Sequence, residues 1–69
     1  MSLIGDTVWY DVVEVAQTDK AYLFTFAKHH EDVWIPKSQC GGRRRDEDGK
    51  IVRVELSTWI VREKELPKP

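Results

Sequence analysis

The fold turns on Val33-Trp34-Ile35-Pro36-Lys37-Ser38-Gln39, an apolar run stopped by a proline and followed by a short polar stretch. Side chains alternate along an extended chain, so Val33 and Ile35 point one way and Trp34 the other. Pro36 has no amide hydrogen to donate and belongs at a sheet edge or where pairing ends. The strand is therefore expected to finish there.

Upstream, Ala21 to Lys28 alternates cleanly, with Tyr22, Phe24 and Phe26 on one face and Leu23, Thr25 and Ala27 on the other. The aromatic face is assigned to the core. Thr18-Asp19-Lys20 has turn chemistry, and so short a connection implies an antiparallel hairpin with the run before it. That run, Thr7 to Gln17, is rich in β-branched and aromatic residues, yet strict alternation fails at Trp9-Tyr10 and at Val12-Val13. A long strand with a bulge or bend, serving two sheet surfaces, accommodates both pairs. A second polar turn, His29-His30-Glu31-Asp32, completes a three-strand meander.

Downstream, residues 38–49 read as a loop through Cys40-Gly41-Gly42-Arg43-Arg44-Arg45-Asp46-Glu47-Asp48-Gly49. Asp48-Gly49 is a favoured tight-turn pair, so part of Arg43 to Asp46 is a candidate short strand hairpinned onto the next. Lys50 to Leu56 places Val52, Val54 and Leu56 inward, Arg53 and Glu55 outward, and leaves Ile51 on the outer side. Ser57 or Thr58 can cap a helix over Trp59 to Leu66 by accepting a free backbone amide. So short a helix must dock Trp59 and Ile60 on the sheet to persist, and Pro67 and Pro69 forbid its continuation.

These elements make one mainly β (α+β) domain over residues 1–69, with a flexible loop at about 40–49 and a frayed tail at 67–69. The architecture expected is a small curled antiparallel meander or open barrel of four or five strands, SH3-like or OB-like, closed by a C-terminal helix. A chain of 69 residues buries only about 60% of the surface its unfolded state exposes. Seven aromatic rings (three Trp, two Tyr and two Phe) answer that need, and homodimerisation is a second way to gain core.

Cys40 is the lone cysteine, so an intrachain disulfide is excluded and a reducing cytoplasm fits. No run approaches the roughly 18 to 20 apolar residues of a membrane span, and no charged start followed by an apolar core suggests a signal peptide. Net charge is −1, unevenly placed. Residues 1–36 hold two lysines against six acids, whereas residues 37–69 hold nine basic against six acidic side chains. Such polarity suits a partner or self-association.

The Trp34-Ile35-Pro36-Lys37-Ser38-Gln39 run, followed after a glycine-containing gap by a strand and then Trp59-Ile60-Val61-Arg62-Glu63-Lys64-Glu65-Leu66, resembles a group of small uncharacterised phage and bacterial proteins. They share a Trp-Ile-Pro-Lys-Ser strand and a terminal helix that opens with tryptophan and ends Lys-Gly-Leu or similar. The resemblance covers roughly the last two thirds of the chain. It implies an accessory protein of phage or mobile-element origin, and it departs at Glu65, which stands where the group has glycine.

Among candidate sites, Arg43-Arg44-Arg45 beside Gly41-Gly42 could contact phosphates while exposed rings stack on bases. Asp46, Glu47 and Asp48 cancel that charge at once, so a solvated loop or a protein contact competes with this reading. Trp34 either packs under the terminal helix, the favoured alternative, or offers an exposed ring. His29, His30, Asp32 and Cys40 carry metal-ligand atoms but lack the spacing of a zinc site, and Cys40 with a histidine lacks an evident pocket or oxyanion donor. No enzyme activity, cofactor or metal is expected. The leading expectation is non-catalytic binding of single-stranded nucleic acid, with Lys37, Arg43, Arg44, Arg45 and Arg53 on phosphates and Trp34 stacking. The alternative is a protein-interaction module acting on a host or phage enzyme.

Overall fold

A computed structural model describes residues 6–29 and 31–68. It holds five strands, β1 Thr7–Gln17, β2 Ala21–Phe26, β3 Val33–Pro36, β4 Cys40–Arg45 and β5 Ile51–Ser57, followed by helix α1, Thr58–Glu63. A single turn of 3-10 helix, Lys37–Gln39, joins β3 to β4. All pairings are antiparallel, in one open sheet of order β3-β2-β1-β5-β4. The first three strands form the expected meander. The β4–β5 hairpin then returns to the other side of β1, which is long enough to serve both halves: Thr7 to Asp11 pair with β5, and Val12 to Gln17 pair with β2.

The anticipated irregularity of β1 falls between Glu14 and Ala16, where Val15 is the extra residue opposite β2. Its turn into β2 is held by Thr18, whose Oγ1 accepts the amides of Lys20 and Ala21 at 3.3 and 3.2 Å. Pro36 ends the edge strand β3, where no partner strand needs its missing donor. Tyr22, Phe24 and Phe26 are all buried. Phe26 meets Tyr10 edge-on at 5.4 Å between centroids, and Tyr22 stacks on Phe24 at 5.3 Å.

Three expectations are corrected. Within the stretch assigned to a loop over 40–49, the candidate short strand at Arg43 to Asp46 is present but begins at Cys40, and only Asp46 to Lys50 turns. There the Asp46 carboxylate accepts the amides of Asp48 and Lys50 at 2.9 Å each, and Gly49 takes φ +80°. On β5, Ile51 is fully buried and Val52 is 38% exposed, the reverse of the alternation read from the sequence. The cause is a bulge: Arg44 opposes Arg53 while Arg45 opposes Ile51, so Val52 is the extra residue and is turned outward.

The third correction concerns the helix. Ser57 caps it, Oγ accepting the Ile60 amide at 3.3 Å, but it stops at Glu63, short of Leu66. Leu66 N–H donates to the Val61 carbonyl at 3.0 Å and Glu65 N–H to the Arg62 carbonyl at 3.2 Å, with Glu65 at φ +53°. This is a Schellman ending, which folds Leu66 back onto the core. Ile60 is buried as expected, whereas Trp59 is 60% exposed and does not dock on the sheet. The start of the tail is tied down, Tyr10 Oη donating to the Pro67 carbonyl at 2.7 Å; Pro69 lies outside the described residues.

Candidate binding surfaces

The six residues singled out in the sequence do not form one site. Arg43 stands opposite Val54, a fully buried residue, so its side chain leaves β4 on the core side. Its guanidinium lies 5.3 Å from the centre of the Tyr22 ring. Lys37, one residue past β3, places its Nζ 4.9 Å from the same ring. Among the described residues both cations are anchored on neutral oxygens: Lys37 donates to Gln17 Oε1 at 3.1 Å, and Arg43 to the Gly41 carbonyl at 3.2 Å. Lys37 opens the 3-10 turn that joins β3 to β4, and Arg43 stands on β4, so both reach Tyr22 of the neighbouring strand β2 from the chain that follows β3.

Arg44 and Arg53 oppose each other on the outer face of β4 and β5. Like charges directly across a ladder repel, and Arg53 is drawn the other way. Its Nε sits 3.0 Å from Asp11 Oδ1 and its guanidinium 5.6 Å from the Trp9 ring. The ion pair is open to solvent and contributes less than about 1 kcal/mol. Next along this face, the Glu55 carboxylate accepts the Gly42 amide at 3.0 Å and the Thr7 hydroxyl at 2.7 Å. These bonds, the backbone one foremost, hold its pKa below the ordinary carboxylate value. Basic and acidic groups thus alternate around Trp9, whose ring edge reaches Gly42: a Cβ there would come within 2.6 Å of Trp9 Cη2.

Arg45 donates to the Gly49 carbonyl at 2.9 Å, inside the turn that carries Asp46, Glu47 and Asp48. Trp34 is 44% exposed and packs across from Leu23, not under the helix. Leu23 in turn opposes Ala16 on β1, whereas Arg53 opposes Asp11. At about 3.3 Å per residue, the tryptophan and arginine rows are offset by roughly 15 Å along β1 alone. One nucleotide cannot stack on Trp34 and meet the Arg44–Arg53 pair.

What the sequence reading missed is an apolar row on the outer face of β1, β2 and β3. Ala16, Leu23 and Trp34 lie side by side, and Val13, 62% exposed, is next to them opposite Thr25. The adjacent Val12-Val13 pair was the signal: one of the two had to face outward.

Cys40 is only 7% exposed and its thiol donates weakly to the Pro36 carbonyl at 3.6 Å. Burial pushes its pKa up to about 11, partly opposed by Arg43, so it is a core side chain and not a poised nucleophile. Among the described residues no group of three His, Cys, Asp or Glu side chains could hold a metal ion; His30 lies outside them. A cleft of about 170 Å³ between Tyr10, Phe26 and Pro67 falls below the roughly 300 Å³ at which ligand pockets begin. No helix among the described residues is long and apolar enough to cross a membrane. In comparisons with protein-family models, curated proteins and solved structures, nothing matches this chain.

Proposed function

We propose that this chain is a non-catalytic binding module that receives a protein partner on the outer face of β1, β2 and β3. The observation that carries the reading is the apolar row itself. Single exposed apolar residues are ordinary, but Val13, Ala16, Leu23 and Trp34 are neighbours fixed by register on one face. Contiguity of this kind marks interaction sites.

The surrounding charge says what the partner carries. On this face the Asp32 carboxylate accepts the Thr25 hydroxyl at 2.7 Å, beside Val13, whereas Glu14 faces the other way onto the Ile51 amide and Asp11 is paired with Arg53. An apolar segment flanked by lysine or arginine complements the apolar row and Asp32. The interleaved signs around Trp9 and the separation of Trp34 from the arginines also favour protein over nucleic acid. The resemblance to small phage proteins suggests the setting, an accessory protein of a phage or mobile element acting on another protein.

Affinity capture from nuclease-treated extract tests this with two baits, the wild type and Val13→Glu/Trp34→Ser. Support is a stoichiometric protein held by the first and lost by the second. Equal capture by both, or capture of none together with saturable, salt-sensitive binding of a labelled single-stranded oligonucleotide, overturns it in favour of another surface or of nucleic acid.

A further inference from the structure

We infer that Lys37 and Arg43, each seated within about 5 Å of the centre of the Tyr22 ring, form a binding site for a phosphate group. The site lies on the core-side rim, on the opposite face from the apolar row, and is independent of the protein-binding reading.

Two positive groups share one ring, at 4.9 and 5.3 Å from its centre. Such closeness is unfavourable unless something offsets it. The face of an aromatic ring does so in part, and the usual remedy, a side-chain carboxylate, is missing among the described residues, where every Asp and Glu stands and the ion pair formed is Arg53–Asp11. Lys37 and Arg43 spend one donor each on the neutral oxygens of Gln17 and Gly41. An ammonium has three donors and a guanidinium five, so most of their capacity is unspent.

The chemistry selects the ligand. A guanidinium fork matches two oxygens of one phosphate and an ammonium meets a third as a point charge. A phosphate monoester near pH 7 carries close to two negative charges, which neutralise both cations, whereas a carboxylate supplies one. Preorganisation is built in. Lys37 is set by its backbone amide, which donates to the Lys20 carbonyl at 2.8 Å, and Arg43 by its place on β4.

The test is a titration of the intact protein with sodium phosphate at pH 7.5, followed by amide chemical shifts, against sodium chloride at matched ionic strength. Saturable shifts at residues 37–43 and Tyr22 are expected with phosphate and not with chloride. Lys37→Gln and Arg43→Gln should each weaken binding about tenfold, as loss of one charged hydrogen-bonding partner does, and the pair together should abolish it. Arg62→Gln, a change of the same charge at an exposed helical position, should leave the titration unaltered. O-phosphoserine and adenosine monophosphate added in turn identify the source: equal affinity places recognition in the phosphate alone, and a preference names the attached group. Shifts that chloride reproduces, that survive in the double variant, or that Arg62→Gln diminishes equally, overturn the assignment.

Discussion

Glu65 occupies a backbone position that disfavours its own side chain. At φ +53° an L residue brings Cβ against the neighbouring carbonyl, a cost of roughly 1 to 2 kcal/mol that glycine escapes. It persists because the Schellman bonds from Glu65 and Leu66 return Leu66 to the core. Glu65→Gly is therefore expected to stabilise the domain by about 1 kcal/mol in urea unfolding, with a melting temperature higher by about 4 to 8 °C. An unchanged or lower midpoint would show that the turn does not hold this conformation in solution.

Cys40 makes the pH dependence directional. Its thiol, ordinarily near 9.0, is held neutral by burial to about 11 in the folded chain. Between those values the unfolded state releases a proton that the folded state keeps, so this contribution to stability is fully present below pH 9 and is lost as pH rises toward 11. Cys40→Ala should flatten that alkaline decline relative to the wild type in denaturant titrations. Parallel curves for the two proteins would place the thiol in water.

At the scale of elements, what could be read from the sequence was local and what could not was relational. Pro36 announces the end of β3 and Thr18 the first turn through their own backbone chemistry, and both stand where expected. The β5 reversal of Ile51 and Val52 has no such signature, since it depends on how Arg44 and Arg45 pair across the hairpin. The first half of strand β4 was hidden for a related reason: glycine has low β-propensity, and Gly41-Gly42 are held extended by neighbours. Gly42 in particular is there because Trp9 crosses β5 to reach it, with Glu55 holding its amide. Gly42→Ala must push that ring aside and is expected to cost about 1 to 3 kcal/mol, with red-shifted tryptophan emission as Trp9 gains water. Combining it with Trp9→Leu should recover part of the loss, because the clash disappears with the indole. Strictly additive costs would mean that the two residues do not touch.

For the whole molecule, the charge polarity along the chain is cancelled where β1 meets β5. The acidic first half and the basic second half are brought together by β1 and β5, where Asp11 meets Arg53. That pairing dissolves the single basic site anticipated from Lys37, Arg43, Arg44, Arg45 and Arg53, and leaves the apolar row as the least satisfied part of the surface. Whether the row belongs to partner binding or to the fold is itself measurable. Val13 is exposed and Trp34 contacts its neighbours along one side only, so Val13→Glu/Trp34→Ser should cost no more than about 1 kcal/mol in all. Against the buried aromatic core behind it, where removal of Phe24 would cost about 3 to 5 kcal/mol, that is a small loss. A double variant that unfolds cooperatively near the wild-type midpoint, yet no longer retains the partner, separates contact from stability. One that is unfolded in buffer would make the row a structural face of the sheet, with no surface left to offer.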